Sequence, residues 1–188
     1  MAIAVRPVSE ELFDDVQTVF GSRGQPARCQ CQAYRMGWHD QHSANVAGRR
    51  ELLRDQAGEG HGLLAYLDGE PVGWCSVAPR CDYSHLRQTT WKGRAEDRAD
   101  PGVWAVTCLV TRAGFRKLGV SRALVAGTVE LARSGGARVL EAYPMKPAPG
   151  TDVTWGELHV GKLSSFLAAG FQVVHEPSLR RAVVRYEF

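Results

Sequence analysis

The stretch from Gly102 to Leu124 constrains the fold most. It opens with GVWAVTCLVT, a continuous apolar run rich in β-branched residues. It closes with FRKLGVSRAL, where one glycine precedes a series of good helix formers. Such a run suits a strand buried on both faces. Val120, Leu124, Gly127 and Leu131 then fall on one helical face, and Gly135-Gly136 ends the helix. A buried strand, a short turn at Gly119 and a helix start together make a place for a phosphate. Free amide N–H groups and the positive end of the helix dipole meet at that turn. Arg116 and Lys117 are unfavourable there unless an anion sits between them. The amides from about Lys117 to Arg122 can converge on oxygens. The patterns G-x-G-x-x-G and G-x-x-x-x-G-K-[ST] are both absent, which argues against a dinucleotide or a P-loop nucleotide. The plainer reading is a glycine loop that simply opens a core helix.

The flanking sequence predicts the other elements. IAVRPV reads as a first strand, Ser9 as the cap of a helix to about Phe20, and Ser43 as the cap of a second helix to about Ala57. Residues 21–43 read as irregular. Asp68-Gly69 between two apolar runs marks a hairpin. Arg80 to Pro101 and Pro144 to Gly156 read as long loops. RVLEAYP, FQVVHE and RRAVVRYEF read as strands, and ELHVGKLSSFLAAG as a short helix. The order β, α, α, β, β, β, α, β, α, β, β predicts an α/β fold of the α+β type. Its sheet is mostly antiparallel, with about seven strands, one central β–α–β crossover and helices on both faces.

The 188 residues predict one domain over 1–188. A formal charge of +3 is far from that of a dedicated nucleic-acid binder. No stretch approaches the ~20 apolar residues of a membrane span, and the N-terminus does not read as a signal peptide. The five cysteines are odd in number and lack zinc-finger spacing, so reduced thiols and a cytoplasmic location are expected. Cys29 and Cys31 with His39 and His42 could in principle form a Cys₂His₂ set. Their spacings are not those of common zinc motifs, and no metal is expected.

Arg116-Lys117-Leu118-Gly119-Val120-Ser121 resembles the R/Q-x-x-G-x-G/A pyrophosphate loop of the GNAT superfamily of N-acetyltransferases. CLVT resembles the end of that family's fourth strand. AAGF, Ala168 to Phe171, resembles the G-F signature that ends its fourth helix. The element order matches along nearly the whole chain. The resemblance implies an enzyme that uses acetyl-CoA as acyl donor. It implies that the pyrophosphate sits on Arg116, Lys117, Leu118, Gly119, Val120, Ser121 and Arg122. It further implies that the pantetheine arm pairs with the backbone of Leu109, Val110 and Thr111. The implied acceptor is an amine, expected on a small molecule, with no membrane or nucleic-acid partner and with a homodimer left open. The alternatives are a CoA-binding sensor of weak activity, a protein amine as acceptor, or an aminoacyl-tRNA as donor.

Three features depart from the family pattern. Ser121 replaces the last small residue of the loop, and its hydroxyl could donate to a phosphate. Phe166 stands where many members carry a tyrosine that protonates the leaving thiolate, and the strand from Val103 to Cys108 has no carboxylate to act as base. Acyl transfer needs a proton acceptor and oxyanion donors. The amide of Leu109 or Val110 could polarise the thioester carbonyl. The candidate bases are Glu141, on the strand beside the thioester, and His159, whose pKa range suits proton transfer. Tyr143 is the candidate acid. Each has a bland counterpart: a solvated strand residue, a surface histidine, a packing tyrosine.

Overall fold

The structure is a computed structural model and describes residues 2–37, 40, 45–147 and 158–188. The strands are β1 (Ile3–Pro7), β2 (Leu63–Leu67), β3 (Glu70–Pro79), β4 (Val103–Thr111), β5 (Val139–Ala142), β6 (Gln172–Ser178) and β7 (Arg181–Glu187). They form one sheet in the order β1-β2-β3-β4-β5-β7-β6. Every neighbouring pair is antiparallel except β4 and β5. A parallel pair needs a crossover, and the helix α4 (Val120–Ser134) supplies it. The expected sheet and its single crossover are therefore present.

Alternation along the strands divides the core between two faces. On one face Leu63, Ala65, Val72, Cys75 and Val106 pack under α4, whose Val120, Leu124, Val125 and Val129 point at them. Phe166 on the short helix α5 (Leu163–Ala168) joins that cluster fully buried, edge-on to Phe171. On the other face Leu64 and Trp74 meet α1 (Phe13–Phe20) and Leu53 and Ala57 of α3 (Val46–Gly58). Farther along this second face Ala78, Ala105 and Val183 meet Tyr34, Tyr83, Trp91 and Tyr143.

Local chemistry explains where the elements differ from expectation. Asp68 and Gly69 both have positive φ, 50° and 85°, so the β2–β3 hairpin turns as Asp-Gly predicts. Ser9 makes no side-chain cap; a 3₁₀ turn at Glu10–Leu12 intervenes before α1. Ser43 lies outside the described residues, and Asn45 caps α3 by accepting from the Gly48 amide at 2.8 Å. Residues 21–43 are less irregular than expected, since they hold α2 (Gly24–Cys29) and a 3₁₀ turn at Gln32–Tyr34. The helix expected before Gly170 is two pieces. A 3₁₀ turn at Leu158–Val160 stops at Gly161, whose φ of 79° a helix cannot continue, and α5 follows.

The start of α4 lies unusually close to β3. A Cβ on Gly73 would come within 2.4 Å of Val120 Cγ1 and 3.0 Å of Leu124 Cδ1. Glycine there sets how near the helix mouth approaches the sheet. Gly73→Ala should therefore destabilise the fold by about 1–3 kcal/mol through overpacking, read as a lower urea midpoint with an unchanged m-value.

Candidate functional site

Two features of the β4–α4 unit open it to a ligand. The first is the turn. Lys117 and Gly119 both have left-handed φ, 64° and 89°, and Gly119 is the N-cap of α4. A Cβ at Gly119 would meet only Ile3 Cδ1 at 3.9 Å, so the backbone conformation, not space, calls for glycine. No side chain caps this helix and its first turn holds no acidic residue. The amides of Val120, Ser121 and Arg122 have no acceptor within the helix. Arg116, Lys117, Leu118, Gly119 and Arg122 are exposed around them. The Ser121 hydroxyl lies 3.2 Å from that of Thr111 and ties the turn to the end of β4.

The second feature is an edge. β4 pairs with β5 only from Val103–Val139 to Val106–Ala142. Beyond that point β4 runs on to Thr111, bonded to β3 on one side and to no strand on the other among the described residues. Thr107 is the extra residue of a bulge, because Ser76 faces Cys108 while Val77 faces Val106. A bulge bends and twists the strand that carries it. Here it also swaps the faces: Val106 and Leu109 lie on the α4 side, Cys108 and Val110 on the α1 side. Leu109, Val110 and Thr111 thus form an open edge that leads back to the helix mouth.

The expected acid–base residues divide in two. Glu141 is fully buried and committed. Its Oε2 accepts from Arg94 Nη2 at 2.6 Å and Arg185 Nε at 2.8 Å, with Arg80 Nη1 at 3.5 Å. Its Oε1 accepts from the Tyr143 hydroxyl at 2.7 Å. Burial, reinforced by the neighbouring carboxylate, pushes the Tyr143 phenol well above its usual range. Each side-chain oxygen of the two residues is thus engaged by a partner within the protein, and the pair fastens strands and loop together. Glu96 joins the cluster through Arg94 and Arg185. Burial works against its charge, but hydrogen bonds from Arg185 and Arg94 hold its carboxyl below the ordinary range.

His159 is placed differently. It sits on the Leu158–Val160 turn, which packs beside β4, with its Nε2 3.0 Å from the Tyr34 hydroxyl and the two rings stacked at 25°. Burial raises the Tyr34 phenol, so it keeps its proton near neutrality. Nothing in the sequence points to Tyr34: it lies 125 residues from His159, and its turn has no motif. Of the proposed zinc set, His39 and His42 lie outside the described residues. Cys31 accepts from the Trp74 indole at 3.1 Å, and no group of three metal-ligating residues occurs among the described residues.

Beside Tyr34 lies a cavity of about 530 Å³, walled by Met36, Tyr83, Leu86 and Trp91 and by Arg80, Arg87 and Arg98. The backbone N–H of His85, another wall residue, donates to the Tyr34 carbonyl at 2.9 Å and fixes that wall beside the turn that carries Tyr34.

A sequence profile of the acetyltransferase (GNAT) family matches residues 27–149. No curated protein matches the sequence. Solved structures match over nearly their whole length at low identity. One is an acetyltransferase with a TM-score of 0.59, 14% identity and 98% of each chain covered. Another is yncA from Salmonella typhimurium, solved with its cofactor acetyl-CoA (TM-score 0.57, 12% identity, 100% of this chain and 94% of that one). A third is the ribosomal-protein-alanine N-acetyltransferase from Brucella melitensis (0.56, 14%, 98% and 99%). At these identities the likeness is one of fold.

Removing the charge at Glu141 leaves Arg80, Arg94 and Arg185 with only Glu96 to share as an ion-pair partner among the described residues. Glu141→Gln should lower stability by about 3–5 kcal/mol, measured by denaturant titration. Acid should weaken the same cluster. Because the Glu96 carboxyl is depressed in the fold, its contribution is complete above the unfolded value of about 4.3 and is lost as pH falls through the folded one. An unchanged midpoint for Glu141→Gln, with turnover lost, would return Glu141 to the role of base.

Proposed function

We propose, from the premise that this chain belongs to the acetyltransferase (GNAT) family, that it moves an acetyl group from acetyl-CoA to the amine of a small molecule. The observation that carries this is the pairing of an open β4 edge with an uncapped, acid-free helix mouth. Pyrophosphate oxygens suit the amides of residues 117–122, with Arg116, Lys117 and Arg122 around them. The extended pantetheine arm suits Leu109 to Thr111, which can accept it as an added strand. Residues 1–188 act as one acyltransferase unit, a reading that strands from both ends of the chain in one sheet support. Five free thiols support a cytosolic setting.

The chemistry follows from the open edge. The amine lone pair attacks the thioester carbon, a nitrogen–carbon bond forms, and the carbon–sulfur bond breaks. A β4 amide at Leu109 or Val110 steadies the oxyanion. His159 takes the amine proton, directly or through water, and Tyr34 fixes its ring. CoA leaves as the thiol, with its proton drawn from solvent or from Tyr34, since buried Phe166 has none to give. Among the described residues no helix is long and apolar enough to cross a membrane, and the cavity volume falls within the range of small-molecule sites.

Two measurements test this reading. Acetyl-CoA at about 100 times its Kd should raise stability by about 2.7 kcal/mol, and Gly119→Val should remove that shift. His159→Ala should lower kcat by about 10²–10⁴-fold and abolish the acidic limb of the pH–rate profile, with acetyl-CoA affinity little changed. The sign follows from the role: a base must be unprotonated, so the rate rises as pH climbs through its pKa. A variant with normal kcat and the same acidic limb would remove His159 from the mechanism.

A further inference from the structure

We propose that the cavity beside Tyr34 holds the acceptor and selects an amine that carries an oxyanion, a carboxylate or a phosphate, on an apolar or aromatic body. This rests on the acetyltransferase reading above and names its substrate class.

The charges around the cavity point to an anion. Its lining includes Arg80, Arg87 and Arg98 and no carboxylate. Arg87 and Arg98 are exposed, and neither has an ion-pair partner among the described residues. Three guanidinium groups surround the buried Trp91 ring: Arg80 at 5.0 Å, Arg94 at 4.8 Å and Arg98 at 4.8 Å from its centroid. Among the described residues Arg80, Arg94 and Arg185 share Glu96 and Glu141 as ion-pair partners, and Arg98 pairs with neither. Asp82 pairs with Arg35, Asp100 with Arg138, and Asp97 Oδ1 accepts from the Ala99 amide.

Arg80 adds an independent sign. Its side chain is 1% exposed. Nη2 donates to the Asp97 carbonyl at 2.6 Å and Nη1 approaches Glu141 at 3.5 Å, yet the buried Nε has no hydrogen-bond partner among the described residues. Buried donors are ordinarily satisfied, and a guanidinium edge matches the two oxygens of a carboxylate or phosphate. Met36, Tyr83, Leu86 and Trp91 supply apolar wall beside these charges. An oxyanion at the arginines would leave the amine end to reach toward the Tyr34–His159 pair.

The test uses three probes that differ only at one end: 4-(aminomethyl)benzoate, 4-(aminomethyl)benzamide and 4-(aminomethyl)phenylphosphonate. Calorimetry at low salt should show at least one anionic probe binding about tenfold or more tighter than the amide. The tighter anion identifies the group. The double variant Arg87→Gln/Arg98→Gln should bring anion and amide to the same affinity while leaving the acetyl-CoA stability shift intact. Equal binding of anion and amide by the wild type overturns the proposal. So does binding of none of the three at millimolar concentration, or a preference that survives the double variant. Anion-selective binding with no acetyl transfer to any amine upholds the pocket and overturns only the acetyltransferase reading.

Discussion

The function proposed for this molecule depends on where β4 and β5 stop pairing. They share four residue pairs, Val103–Val139 to Val106–Ala142, and then separate. The pairs hold the two halves of the sheet together, and the separation leaves an edge. At the same point Thr107 bulges out of β4 and exchanges which residues face α4 and which face α1. A continuous pairing would bury the backbone of Leu109 to Thr111. A shorter one would cut the sheet in two. Unpaired backbone groups seek partners, so an edge that leads to a helix mouth is a site ready for an extended, anionic ligand.

Glu141 keeps that junction from falling apart. It lies on β5, opposite Ala105 of β4 and Arg185 of β7. Its bonds reach Arg185 on β7, Arg80 just after β3 and Arg94 in the long loop. One buried carboxylate thus fastens three segments beside the opening. Its burial is tolerable because several donors share its charge. The same cluster ties Arg80, which lines the cavity, to the long loop through the Asp97 carbonyl.

Local signals were legible in the chain and long-range ones were not. The apolar run before Gly119, the Asp68-Gly69 turn and the Gly135 stop each act within a few residues, and each element forms where its chemistry predicts. The turn at Gly119 was visible for the same reason, since a glycine between a buried strand and a helix is a local pattern. The partners of Glu141 were not legible, because alternation in VLEAYP says that a residue faces inward, not what meets it. Its arginine partners come from 44 to 61 residues away. Tyr34 had no signal, because its value lies in meeting His159 across 125 residues. The helix expected before Gly170 was split by Gly161, where a left-handed φ outweighed the helical spacing around it.

Amide hydrogen exchange with and without acetyl-CoA tests the central claim most directly, because it reads the backbone groups that the open edge and the helix mouth present. The account predicts that acetyl-CoA slows exchange at residues 107–111 and 117–122 together, and much less in β1, β2 and α3. Protection confined to other segments, or none in either of these two, would contradict it.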